Sequence, residues 1–131
     1  MDTLAFTPTE EQTLRALGVS AVVLFGSRAR EVASKTSDYD IGIVGKKTGV
    51  TYDSIYDMLA SKIGKLVDID IVFLGDAPME LQHHAASYGR PLFEAKPGIF
   101  ASYKEAVMDK YADFAPIRQM FQQQILGRIP A

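Results

Sequence analysis

The spacing of polar and apolar positions changes along the chain, and each change marks an element. Val19 to Phe25 is an apolar, β-branched run that reads as a buried strand. Asp38 to Val44 alternates, with Asp38, Asp40 and Gly42 on one face and Tyr39, Ile41 and Ile43 on the other. Leu66 to Leu74 alternates in the same way, with Asp68, Asp70 and Val72 opposite Ile69, Ile71 and Phe73. Pro91 to Glu94 reads as a short edge strand, where a leading proline is tolerated.

Helical spacing fills the intervals. Thr7-Pro8-Thr9-Glu10 opens a first helix, with Thr7 as cap, Pro8 at the first helical position and Glu10 where a capping box places it. Leu14 and Leu17 give it an apolar face, and Gly18 stops it. Residues 28–33 fit a short helical turn, 35–37 a polar loop, and Gly45 to Gly49 an exposed turn. Tyr52 to Gly64 is helical through Ile55, Leu59 and Ile63. Pro78 begins another helix that Gly89 ends. From Gly98 to Gly127 an apolar stripe runs through Phe100, Tyr103, Val107, Tyr111, Phe114, Ile117, Phe121 and Ile125 at steps of three and four. It crosses Pro116 without losing phase, which predicts one kinked helix or two in line. The order predicts an α/β (α+β) fold: a small mixed sheet with helices packed on it, and a C-terminal helical segment over 98–127. No repeat or linker divides it, so residues 1–131 read as a single domain.

Composition narrows the function classes. With 47% apolar and 23% charged residues, the 131-residue chain has an ordinary globular balance. Its formal net charge of −2 gives no general attraction to nucleic acid or anionic membrane. It contains no cysteine, which removes disulfides, thiolate metal sites and a cysteine nucleophile. Met1-Asp2-Thr3-Leu4 lacks the basic and apolar regions of a signal peptide, and no apolar run spans a bilayer, so the expected location is cytoplasmic.

The chemistry concentrates in Gly26-Ser27, ten residues, then Asp38-Tyr39-Asp40. A glycine after a strand lets the backbone approach a ligand and offer its N–H groups. Ser27 adds a hydroxyl, and a helical turn behind it would favour phosphate at its N-terminus. Arg28 and Arg30 are positioned to add charge-assisted bonds to phosphate oxygens. Two carboxylates on one strand face repel unless a cation lies between them, and oxygen donors suit Mg²⁺ or Mn²⁺. Asp70, with Asp68 on the same face of another strand, offers a third carboxylate for a two-metal site. A lone Gly-Ser turn or a lone Asp-x-Asp is ordinary. Two acidic pairs on otherwise apolar strands are not, because a buried charge needs a partner.

These residues resemble a known family. Leu24-Phe25-Gly26-Ser27-Arg28-Ala29-Arg30, followed by Ser37-Asp38-Tyr39-Asp40-Ile41, is similar to the signature of the DNA polymerase β-like nucleotidyltransferases, most of all the minimal nucleotidyltransferases of bacteria and archaea. The resemblance continues through Val67 to Pro78, Gly89 to Phe93 and Tyr111 to Phe114. It implies the nucleotidyltransferase fold, a triphosphate of ATP at Gly26 and Ser27, and Mg²⁺ at Asp38 and Asp40. For the third carboxylate it favours Asp70 over Asp68. It further implies an antitoxin that transfers AMP from ATP to a tyrosine hydroxyl of a HEPN ribonuclease toxin. Glu31 departs from the pattern, where relatives usually carry glycine.

Three functions therefore stand side by side: a toxin-modifying enzyme, a nucleotidyltransferase acting on a small-molecule or RNA hydroxyl, and an antitoxin that acts by contact alone. His83 and His84 are neighbours on a helix and point to different sides, so a shared metal site is not expected. Lys46-Lys47 reads as a solvated turn. The C-terminal stripe is longer than so small a domain readily covers, which leaves it open between core and partner surface.

Overall fold

The computed structural model describes residues 4–26, 28–29, 38–64 and 68–127, with backbone alone at 118 and 121–127. The chain runs α1 (Pro8–Ala16), β1 (Val19–Phe25), β2 (Tyr39–Gly45), α2 (Gly49–Ile63), β3 (Ile69–Phe73), a 3-10 turn (Leu74–Asp76), α3 (Met79–Tyr88), β4 (Arg90–Glu94) and α4 (Ile99–Gly127). The strands form one sheet in the order β3-β2-β1-β4. β1 is antiparallel to β2 and β4, and β2 is parallel to β3. A parallel pair needs a crossover, which α2 supplies. The sheet is therefore mixed, as expected, and Pro91 lies on the edge strand β4.

The helix ends follow local chemistry. Thr7 accepts the Glu10 N–H at 3.2 Å while Glu10 Oε1 accepts the Thr7 N–H at 2.8 Å, a reciprocal cap at α1. α2 starts three residues before the Tyr52 expected from sequence. Thr48, assigned above to an exposed turn, instead caps it by accepting the Thr51 N–H at 3.0 Å. β3 ends at Phe73, one residue before the end of its apolar run, because Leu74 passes into the 3-10 turn, and residues 66–67 of that run lie outside the described residues. The C-terminal stripe forms a single helix of 29 residues with Pro116 inside it, about 43 Å long at the usual rise per residue. The turn expected at 28–33 lies outside the described residues, apart from Arg28 and Ala29.

Alternation divides the core between the two sheet faces. Leu24, Tyr39, Ile41, Ile43 and Phe73 pack with Leu14 of α1 and with Ile55 and Leu59 of α2. Phe25, Val44 and Val72 face the other way, toward Leu74, Leu81 and Ala85, with Tyr103 of α4. Full burial of each such Leu or Ile contributes about 1.5–3 kcal/mol. Gly42 is required on this second face, since a Cβ there would lie 2.7 Å from Leu74 Cδ1. Asp38, Asp40 and Asp70 have the parity of Gly42 and Val72, so they belong to the face that α3 and α4 cover.

Candidate active site

Strand register brings the acids together. In the parallel β2–β3 pair, Asp40 is the direct partner of Asp70. Partners in a ladder share a face, so the two carboxylates stand side by side. Asp38 precedes β2 on the same face. Asp68 precedes β3, and its carbonyl accepts the Tyr39 N–H at 2.9 Å. The two acids that the sequence left in competition thus occupy different places: Asp70 abreast of Asp40, Asp68 one step outward.

On the other side of β2, the antiparallel ladder pairs Asp40 with Phe25, the last residue of β1. The chain then turns at Gly26, whose φ of 76° is a conformation that side chains disfavour. A Cβ at Gly26 would also overlap the Asp40 carboxylate. The glycine of the motif is thus needed both for its backbone angle and for its close approach to Asp40.

The Asp40 carboxyl is pushed above its ordinary value, first by burial and then by the charges of Asp70 and Asp38, with His84 acting in the opposite sense. A cation beside Asp40 would offset both the burial and the like charges. Among the described residues, no three such side chains form a ready metal cage. The oxygen-only donor set still suits Mg²⁺, which keeps several waters and combines one or two carboxylates with substrate phosphates.

His84 is the neighbour that sequence reasoning missed. Its ring meets Phe25 edge-on at 6.3 Å and lies 5.2 Å from the Tyr88 ring. His83 points elsewhere and stacks on Tyr111 at 3.8 Å. Helical spacing separates the two histidines, but only tertiary packing says which one meets the acids.

The basic residues part company. Arg28 is buried, at 5% exposure, with its guanidinium carbon 3.9 Å from the centroid of the Tyr39 ring. Tyr39 belongs to the sheet face opposite Asp40. Arg28, expected from the sequence beside the phosphates, lies against this ring in the fold. Ser27 and Arg30, the other two expected phosphate contacts, lie outside the described residues, as does Glu31. A groove of about 760 Å³ runs along β3 from Ile71 to Phe73 and is bounded by Lys47, Tyr52, Asp76 and Leu81.

The family model for polymerase beta nucleotidyltransferases matches residues 11–98. That interval spans β1, the Gly26 turn and all three acids. A search of the curated proteins finds no significant match. Among solved structures, a chain of a toxin–antitoxin complex with AMP-PNP is similar at a TM-score of 0.69 and 20% identity, covering 88% of this chain and 94% of that one. A chain of the MntA–HepT toxin–antitoxin complex gives a TM-score of 0.62 at 18% identity, covering 92% and 99%. So does a chain from the complex of tri-AMPylated Shewanella oneidensis HEPN toxin with MNT antitoxin, at 0.62 and 18%, covering 90% and 97%. At these identities the likeness is one of fold. The match over residues 11–98, more than half of the chain, goes further: the chain belongs to the polymerase beta nucleotidyltransferase family.

Proposed function

We propose that this protein is a Mg²⁺-dependent antitoxin that transfers AMP from ATP to a tyrosine hydroxyl of a HEPN ribonuclease toxin. The observation that carries the reading is the pairing of Asp40 with Asp70 beside the Gly26 turn. Family membership supplies the reaction class. The similar folds come from toxin–antitoxin complexes, one holding AMP-PNP and another an AMPylated toxin, and they support the choice of nucleotide and acceptor.

In this reading Asp38, Asp40 and Asp70 hold two divalent ions. When bound, Mg²⁺ neutralises the triphosphate and acidifies the acceptor hydroxyl. The turn at Gly26, with Ser27 next in sequence, would receive the triphosphate through its backbone N–H groups. Asp70 is solvent-exposed and stands on an edge strand, so it faces the side from which a protein acceptor arrives. The acceptor oxygen bonds to the α-phosphorus and gives its proton to solvent water. The bond to the bridging oxygen breaks, and pyrophosphate leaves. Positioning and charge neutralisation carry most of the rate.

The test is incubation with labelled ATP, Mg²⁺ and a cognate HEPN-domain toxin. Label on a toxin tyrosine supports the reading, and a folded toxin left unlabelled contradicts it. Neutralisation by contact alone is the second reading. It draws on Ile117 and Met120 of α4, exposed at 65% and 61%. No helix among the described residues is long and apolar enough to cross a membrane, and the expected cytoplasmic location stays part of this proposal.

A further inference from the structure

We infer that Arg28 is a positioning residue that clamps the Gly26 turn onto strand β2 through Tyr39, and that it does not serve as a phosphate ligand. The inference rests on the transfer reaction proposed above.

The turn grips β2 from both faces. On one face, Gly26 lies at a positive φ against the Asp40 carboxylate, which a Cβ would displace. On the other, two residues further on, Arg28 lays its guanidinium 3.9 Å from the centroid of the Tyr39 ring. Tyr39 and Asp40 are consecutive, so their side chains leave the strand in opposite directions. Gly26 and Arg28 therefore hold adjacent residues of one strand between them.

Burial argues for the same role. Arg28 and Tyr39 are each only 5% exposed. A guanidinium taken out of water needs compensating contacts. The ring face supplies one, and Arg28 has a further contact as well. A phosphate on the Asp40 face lies across the sheet from this pair, and reaching it would require Arg28 to abandon the ring. The clamp instead fixes the turn relative to Asp38 and Asp40 before any nucleotide arrives, which is the kind of preorganisation that in-line transfer rewards.

The test compares Arg28→Met, Tyr39→Leu, the double variant and Tyr39→Phe in two measurements. The first is initial-rate AMP transfer at varied ATP. The second is amide hydrogen exchange at Gly26, Arg28 and Ala29 in nucleotide-free protein. Both single variants are expected to lower kcat on the order of 10- to 100-fold, the scale of a small misplacement of reacting groups, with much less change in KM for ATP. The double variant should lose less than the two single losses combined, because the two residues share a contact. Tyr39→Phe keeps the ring face and should lose much less than Tyr39→Leu. Exchange at the three amides should quicken in Arg28→Met and Tyr39→Leu. The inference is overturned if Arg28→Met raises KM for ATP while its nucleotide-free exchange matches wild type, the behaviour of a phosphate ligand. Should Tyr39→Leu fail to fold, the exchange of Arg28→Met decides alone. If wild type transfers nothing to any acceptor, the proposed function fails, while the exchange comparison still decides the clamp.

Discussion

Gly26 lies against the Asp40 carboxylate, which an added methyl group would displace, at a backbone φ of 76°. Replacing it with alanine forces either the turn or the acid to move. Gly26→Ala is expected to destabilise the fold by about 1–3 kcal/mol, the range for a residue held at an unfavourable backbone angle. It should also lower transfer on the order of 10²-fold through misplacement of Asp40. Urea denaturation and initial rates on the same preparations check both.

Asp40 connects function with stability. Burial first, then Asp70 and Asp38, raise its folded proton affinity above the ordinary carboxylate value of 3.8. A raised folded pKa contributes stability that is fully present below the unfolded value and is lost as pH rises through the folded one. At pH 7 the ionised acid is therefore a net cost to the metal-free protein. Asp40→Asn should melt a few degrees above wild type at pH 7, a gap that solvent screening of a half-buried group keeps small. The gap should close as pH falls toward 4. The same variant should lose nucleotide transfer and any stabilisation by Mg²⁺ with ATP, because an amide binds Mg²⁺ poorly. Melting curves with and without the nucleotide read all three effects.

The register of β3 separates its two acids. Asp70 stands beside Asp40, and Asp68 lies outside the strand. Asp70→Asn should reduce kcat on the order of 10²- to 10³-fold, the scale of losing one preorganised electrostatic group. Asp68→Asn should leave it close to wild type. Equal losses in parallel assays would contradict this placement.

Tyr103 carries a different signal. Among the described residues its hydroxyl is buried without a hydrogen-bond partner, and burial pushes its pKa up to about 12. An unpaired buried polar group costs about 1–3 kcal/mol, so Tyr103→Phe should be neutral or stabilising by up to about 1 kcal/mol. Because the folded pKa exceeds the ordinary 10.0, stability should fall as pH rises from about 10 toward 12. The phenylalanine variant should lack that part of the fall in urea titrations across this range.

How far the sequence could be read depended on distance along the chain. Thr7, Pro8 and Glu10 cap a helix by contacts three residues apart, and β1 needs only its own apolar run, so both were legible. The shared face of Asp38 and Asp40 follows from strand alternation alone. Choosing Asp70 over Asp68 required the register between two strands, which residue spacing does not contain; family resemblance favoured Asp70, and the ladder sets it beside Asp40. Thr48 looked like a turn residue because a cap and a turn draw on the same residue types. The charge of Arg28 is visible in sequence, whereas its burial against Tyr39 is a tertiary fact. His84 was hidden for the same reason.

The most direct measurement is the intact mass of the partner toxin after co-expression, together with cell growth. Wild-type protein should yield toxin carrying one or more AMP groups on tyrosine, and cells that grow. The Asp38→Asn, Asp40→Asn double variant should yield unmodified toxin and arrested cells. Growth rescued by the double variant, with the toxin unmodified, would contradict transfer as the means of neutralisation and leave contact in its place.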